Sequence, residues 1–412
     1  IPINLLKGLE NQKEILLKNT ENFANGLPAN NALLWGAKGT GKSSLVKSVH
    51  AEIIANSSNK IKLIEIHRED IINLPYLLSK LAEYVNVKHA ISCSSGTDAL
   101  LLPLMAKGIG PGDAVITVSF TFVSTAEVVS LLGATPIFTD ICGKCFNIST
   151  SKINDSIEYA KKNGLNPKVI IPVDLFGQPA NYDKINDIAK SHDMWVLEDL
   201  AQGFGSSQNG KKSGSLTLCG ATSFFPAKPL GCYGDGGAIF TNDDQLADVI
   251  KSIRVHGKGS DKYDNVRIGV NGRLDTIQAA ILLAKLEIFD DEIKSRNQIA
   301  KMYNKHLSEV LITPYVRPNN ISAWAQYSVL AKNEREREII QAYLKDNGVP
   351  TAIYYPTPLH MQTAYKYLNQ KAGTLPISED VSKRIFSLPM HPYLDEKDIV
   401  NIADIIKRAL KS

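Results

Sequence analysis

Lys228 sits in the run Ser223-Phe224-Phe225-Pro226-Ala227-Lys228-Pro229-Leu230-Gly231, followed by Cys232-Tyr233-Gly234-Asp235-Gly236-Gly237. A lysine enclosed by apolar residues and prolines, entering a turn where glycines allow close backbone approach, is a candidate buried amine. Desolvation lowers an amine's pKa, and the neutral amine is the form that attacks a carbonyl to make a Schiff base. The alternative is a lysine whose stem lies along apolar surface with its ammonium in water.

A second stretch, Met194-Trp195-Val196-Leu197-Glu198-Asp199-Leu200-Ala201-Gln202, reads as a buried strand ending in two carboxylates. Carboxylates at the C-terminal end of a parallel strand lie where open α/β sheets bind ligands. An acid there and a buried amine suit the two ends of pyridoxal phosphate (PLP), whose ring nitrogen must keep a proton to draw electrons from the reacting carbon. Asp199 is the candidate partner for that nitrogen, with Glu198 as the alternative.

The elements that would position these groups are strands alternating with helices from Val87 onward, the pattern of a mainly parallel sheet covered on both faces. Ser94-Ser95-Gly96-Thr97-Asp98 follows the first strand and opens a helix from Ala99 to Lys107, an arrangement that serves as an anion site or as an ordinary N-cap. Phe122 stands at a strand-to-helix junction, suited to a flat ring or to core packing. Strands are expected at 114–118, 135–138, 169–173, 195–198 and 237–241, with helices from Ser124, at 183–191 and at 243–252. One long helix is expected from Leu274 towards Leu307. Beyond it, the stretches 325–331 and 348–355 and a final amphipathic helix at 396–410 describe a smaller α/β domain.

The 412 residues suffice for two or three domains, and a net charge of +4 with dispersed basic residues gives no sign of nucleic-acid or membrane-surface binding. No apolar run is long enough to span a bilayer and no leader is visible, so a cytoplasmic location is expected. Five cysteines, an odd number, suit a reducing compartment. Cys142-x-x-Cys145 is a single pair, read as a loop with two free thiols rather than a zinc or redox site, and no metal site is expected.

Ahead of all this, a strand at 31–35 leads into Gly36-Ala37-Lys38-Gly39-Thr40-Gly41-Lys42-Ser43, a full phosphate-loop pattern, and a helix from Ser44 to Ile54. Gly36 and Gly41 would shape the loop, Lys42 would reach phosphates and the Ser43 hydroxyl would ligate magnesium. Turnover also needs an acidic residue on a second strand, and only Glu65 is offered there. Residues 1–82 resemble the truncated start of a bacterial AAA-type ATPase family, which implies possible ATP and Mg binding but not hydrolysis.

Ser-Gly-Thr, Glu-Asp-x-Ala-Gln, Ser-Phe-Phe-Pro-x-Lys and Gly-Val-Asn-x-Arg-Leu-Asp occur in one order along the chain. Together they resemble the DegT/StrS family of PLP-dependent nucleotide-sugar aminotransferases, over residues 83–412. The resemblance implies aminotransferase fold type I, with a large PLP domain over 83–305 and a small C-terminal domain over 306–412. It makes Lys228 the Schiff-base lysine and proton shuttle, Asp199 the partner of the ring nitrogen, Gln202 the neighbour of the ring hydroxyl and Phe122 the stacking ring. Gly96, Thr97 and Ser223 hold the phosphate, and Asn271 reaches it from the other subunit of a homodimer. Arg273 meets the anionic part of the substrate, and Tyr354, Tyr355 and His360 line the sugar pocket.

Lysine at 228, where dehydrating relatives carry histidine, implies transamination. The runs 224–240 and 388–394 look most like members that aminate UDP-3-oxo-N-acetylglucosaminuronate with glutamate as donor, for lipopolysaccharide O-antigen sugars. Tyr354 stands where close relatives often have histidine. The family's opening arm and first helix are expected to be replaced by the phosphate-loop segment. Two other readings stand beside this one: a nucleotide-dependent switch or ATPase, and a folded fusion product without activity.

Overall fold

A computed structural model of the protein describes residues 2–30, 32, 34, 40–56, 61–63, 74–261 and 263–411. Most of the strand expected over 31–35, the loop glycines Gly36 and Gly39, and Glu65 lie outside the described residues. The chain divides into two compact units, Ile1–His67 and Arg68–Ser412.

In the first unit, helix α1 (Glu10–Ala24) and helix α2 (Lys42–Asn56) pack through Leu45, Val49 and Ile53, which are buried against Leu16, Leu17 and Ala24. The spacing of those α2 residues puts them on one helical face. Helix α2 starts at Lys42, two residues ahead of the expected Ser44, and Lys42 Nζ donates to Thr40 Oγ1 at 3.1 Å.

In the second unit, helix α3 (Leu74–Val85) stands directly ahead of the first strand, where the phosphate-loop segment was expected to replace the family's first helix. Leu77, Leu81 and Val85 recur every four residues and are fully buried, so α3 is seated by one apolar stripe. After it come β1 (His89–Cys93), α4 (Gly96–Ala106), β2 (Asp113–Val118), α5 (Ser124–Leu131), β3 (Thr135–Thr139), α6 (Ile153–Lys162), β4 (Asn166–Ile171), α7 (Tyr182–Ser191) and β5 (Trp195–Asp199). The short strands β6 (Ser207–Gln208) and β7 (Lys211–Lys212) precede β8 (Cys219–Ser223), β9 (Gly237–Thr241) and α8 (Asp244–Ile253).

The seven-stranded sheet has the order β1-β9-β8-β5-β4-β2-β3. β3, β2, β4, β5 and β8 run parallel, whereas β9 is antiparallel to both β8 and β1. β1 therefore points the same way as the parallel set. Ala114, Ile116 and Val118 face a layer that includes Ile153, Ile157 and Ile185, while Val115 faces Leu100, Val128 and Ile250. Both faces are covered, which is why these strands read as continuous apolar runs.

The expected single helix after Leu274 is two, α9 (Thr276–Leu286) and α10 (Phe289–Leu307). Apolar periodicity runs through the junction, so the sequence does not show the break. Phe289 enters an aromatic cluster there, 5.6 Å from Phe204 and 5.8 Å from Tyr84 of α3. Phe204 in turn lies 6.0 Å from Phe224, at the head of the lysine turn.

The remaining elements are β10 (Asn320–Ile321), β11 (Tyr327–Leu330), α11 (Glu334–Asp346), α12 (Pro376–Arg384), β12 (Ile385–Leu388) and α13 (Glu396–Ala409). β11 pairs with β12, and the stretch 348–355 supplies only an isolated bridge from Ala352 to Ser387. Pro350 and Pro356 lack the N–H groups that a longer ladder needs. Because Leu81 is fully buried, Leu81→Ala is expected to lower the stability of the second unit by about 2–5 kcal/mol, read as a fall in its urea midpoint.

Candidate active site

The C-terminal ends of β1, β2, β5 and β8 open at one edge of the sheet, and each delivers a polar group there. β5 ends in Asp199, which is buried; its Oδ2 accepts from the Thr125 hydroxyl at 2.8 Å and its Oδ1 from the Ala201 N–H at 3.2 Å. Burial pushes this carboxyl above its ordinary value, and the two donors together with the Lys228 charge pull it back.

Lys228 follows β8 in a turn closed by its own N–H to the Phe225 carbonyl at 2.8 Å. The segment is laced further by Phe224 N–H to Gly236 O and Cys232 N–H to Phe224 O, both 2.8 Å, and by Lys285 Nζ to Gly231 O at 2.6 Å. Burial lowers the Lys228 pKa, opposed by the charge of Asp199. Each of the two groups acts on the other's ionisation, so they share one desolvated pocket.

Beside them, helix α4 begins with Ser95 as N-cap, its hydroxyl accepting from the Asp98 N–H at 3.1 Å. A Cβ on Gly96 would stand 2.6 Å from Ser223 Cβ, and one on Gly237 would stand 2.4 Å from the Ser95 carbonyl. Glycine is therefore required where the helix start and the end of β8 meet. Thr97 Oγ1 lies 2.7 Å from Ser124 Oγ in the same corner.

Gln202 is fixed at both ends: Oε1 accepts the Phe176 N–H at 2.6 Å and Nε2 donates to the Tyr355 hydroxyl at 3.0 Å. Phe122 is 55% exposed, with its ring 6.5 Å from that of Tyr355, and Tyr354 lies 5.9 Å from Tyr355. His360 is 2% exposed; Nδ1 meets Ser119 Oγ at 2.7 Å and Nε2 meets Glu379 Oε1 at 3.1 Å. Both its ring nitrogens are engaged beneath the surface, which sets it apart from the neighbouring tyrosines. Asn271 bridges Val255, and Arg273 acts on the charge of Arg254; both residues are exposed on the stretch between α8 and α9. Gly41, Lys42 and Ser43 belong to the first unit, at the start of α2, and Gly36 is outside the described residues.

Sequence reasoning did not single out Thr125 or Asp174. Thr125 carries no signal beyond lying in the first turn of α5. Asp174 follows the strand expected at 169–173, the same strand-end position that pointed to Asp199. Its carboxylate accepts from Ala180 N–H, the Tyr182 hydroxyl and the Ser213 hydroxyl at 3.0, 2.7 and 2.8 Å. Glu198 Oε1 accepts the Gly214 N–H at 2.9 Å while Oε2 meets no donor among the described residues. The two carboxyls are neighbours, so a proton held on Glu198 satisfies both.

The DegT/DnrJ/EryC1/StrS aminotransferase family model matches residues 76–407. The chain belongs to this family. It is 50% identical over 324 residues to the UDP-2-acetamido-2-deoxy-3-oxo-D-glucuronate aminotransferase of Pseudomonas aeruginosa, covering 78% of this chain and 87% of that protein. It is 37% identical over 335 residues to the UDP-N-acetyl-3-dehydro-alpha-D-glucosamine 3-aminotransferase of Acidithiobacillus ferrooxidans, covering 81% and 88%. A crystal structure of a family aminotransferase from Brucella abortus superposes with a TM-score of 0.80 at 45% identity, over 92% of this chain and 99% of that one. Residues 1–93 match a family of unknown function, DUF815.

This aminotransferase is thus a PLP-dependent transaminase, and its own residues fit that cofactor. An amine whose pKa burial lowers, an acid whose charge acts on it, and a glycine cradle at a helix start are the three features the molecule demands. Among the described residues, no helix is long and apolar enough to cross a membrane.

Burial pushes the Asp174 carboxyl up to about 7 from its ordinary 3.8. A carboxyl whose folded pKa is raised contributes stability that is complete below the unfolded pKa and is lost as pH rises through the folded one. The unfolding free energy of the wild type relative to Asp174→Asn is therefore expected to fall between pH 4 and 7, measured by urea titrations across that range. A difference that rises with pH would contradict this assignment.

Proposed function

We propose that this aminotransferase moves an amino group from glutamate to the keto carbon of a UDP-linked 3-oxo-N-acetylglucosaminuronate or a close relative, for a lipopolysaccharide or related polysaccharide. The reaction reading is carried by one observation: burial lowers the Lys228 pKa while the charges of Lys228 and Asp199 act on each other. The substrate is supported by the 50% identity to an enzyme named for that sugar.

Bound PLP supplies an electron sink for the carbon that loses its proton. Lys228 Nζ would hold the cofactor at rest, and as a free amine would take the proton from the donor's α-carbon and return it. Asp199 keeps a proton on the ring nitrogen, and Thr125 keeps Asp199 aimed. Phe122 would cover the ring face, and Gln202 would border the ring hydroxyl. The N–H groups of Gly96 and Thr97 and the Ser223 hydroxyl hold the phosphate.

Asn271 is assigned to the phosphate of a second copy's site, in a homodimer. Arg273 binds the sugar's carboxylate through two parallel hydrogen bonds. Tyr354 and Tyr355 line the sugar, and His360 ties Ser119 to Glu379 beneath the surface. The first unit is assigned as a phosphate-loop module in which Gly36, Gly41, Lys42 and Ser43 hold a nucleotide without turning it over.

The purified protein is expected to be yellow, and borohydride reduction to fix the cofactor on a peptide containing Lys228. With glutamate and a panel of UDP- and dTDP-linked 3-keto sugars, the UDP-linked uronate is expected to react fastest. Lys228→Ala should lower kcat by about 10^2–10^4-fold or more. Arg273→Ala should raise KM for the uronate while sparing uncharged sugars. A colourless protein that PLP does not reconstitute would overturn the reading.

A further inference from the structure

Cys142 and Cys145 occupy a loop between the bridged residues Ile141 and Ile148. The loop folds back on itself through Cys142 N–H to Asn147 O and Phe146 N–H to Cys142 O, both 2.8 Å. A one-turn spacing of this kind brings Cα atoms to within about 7 Å, inside the range a disulfide spans.

The Cys145 thiol and the backbone N–H groups of Lys144 and Cys145 each favour the thiolate form of Cys142, so they lie close around its sulfur. Arg317 Nη2 lies 3.3 Å from Cys145 Sγ, and Arg317 Nε has no hydrogen-bond partner among the described residues. A negative charge on this pair therefore meets three donors and an adjacent guanidinium. Cys142 is half-buried and reachable, while Cys145 is 4% exposed behind it. No cluster of three or more metal-ligating side chains exists among the described residues, so the pair lacks the further ligands that zinc requires.

We propose that Cys142 and Cys145 form a redox-active dithiol, which small-molecule disulfides oxidise to an intrachain disulfide and thiols restore. Cys142 is the attacking sulfur: its thiolate forms a bond to one sulfur of the small disulfide and expels the other as a thiolate. Cys145 then gives up its proton and attacks the Cys142 sulfur, closing the 142–145 bond and releasing the second small thiol. Two electrons pass from the protein to the small disulfide. Cys142 titrates well below an ordinary thiol, at about 5, because of the donors around it, whereas burial pushes Cys93, Cys219 and Cys232 upward and keeps them out of the exchange. The sequence reads this loop as carrying two free thiols, and both cysteines are free in the structure; the proposal concerns what an oxidant makes of them.

The loop also touches the active-site framework. Asn147 accepts the Leu175 N–H at 3.0 Å and donates to Gln178 O at 2.9 Å, next to the Phe176 N–H that holds Gln202.

The test uses the full chain with its cofactor bound and glutathione disulfide as the oxidant. Trypsin cleaves after Lys144, so the oxidised protein should yield two peptides joined only through Cys142 and Cys145, separable with dithiothreitol. Cys145→Ser should stop with one glutathione on Cys142, and Cys142→Ser should leave Cys145 unmodified. Alkylation of Cys142 by iodoacetamide should change less than about twofold from pH 6.5 to 8.5, where an ordinary thiol accelerates about fiftyfold. A fiftyfold rise at Cys142, or a wild type that retains glutathione without ever linking the two peptides, would overturn the proposal.

Discussion

A charged amine and a charged acid cannot both be taken out of water cheaply, and the active site is built around that constraint. Lys228 and Asp199 are each pushed by burial towards their neutral forms and pulled back by the other's charge. Burial thus moves the amine towards its reactive form and the acid towards its protonated one, and each charge opposes the other's shift. Much of the surrounding structure serves to keep this arrangement. Thr125 and the Ala201 N–H fix the two oxygens of Asp199, and the aromatic cluster of Tyr84, Phe204, Phe224 and Phe289 walls the lysine turn from behind.

The same economy of charge explains the layer beneath. Asp174 donates its N–H to the Asp199 carbonyl at 2.9 Å, and its side chain abuts Glu198, the residue before Asp199. Two ionised carboxylates at that depth would repel each other with little water to screen them. Holding one proton between them gives the Asp174–Glu198 pair a single negative charge and lets the protonated oxygen act as a donor. Asp199 is thereby supported from below by a polar network and from above by Thr125.

Lys228 and Asp199 were legible in the sequence because both sit in apolar runs cut sharply by glycine, proline or a strand end. The sheet was legible for the same reason: strands covered on both faces are apolar throughout. Other features depend on contacts that no local pattern encodes. The break between α9 and α10 falls inside an unbroken apolar period, and only the seat of Phe289 shows why it occurs. Helix α3 has a clear stripe in Leu77, Leu81 and Val85, hidden in the sequence by its place next to a segment of a different character. Thr125 and Asp174 matter through distant partners, and the exposed residues Asn271 and Arg273 take meaning only from a neighbour or a ligand.

The lysine turn is pinned at both ends in the same register, Ser223 against Gly237, and cross-linked internally by main-chain bonds. A backbone held this way does not travel during a catalytic cycle. Any movement of Nζ between successive positions must come from rotation about the four carbons of its own stem. Shortening that stem by a single methylene, as ornithine would, removes reach that no shift of the main chain can restore.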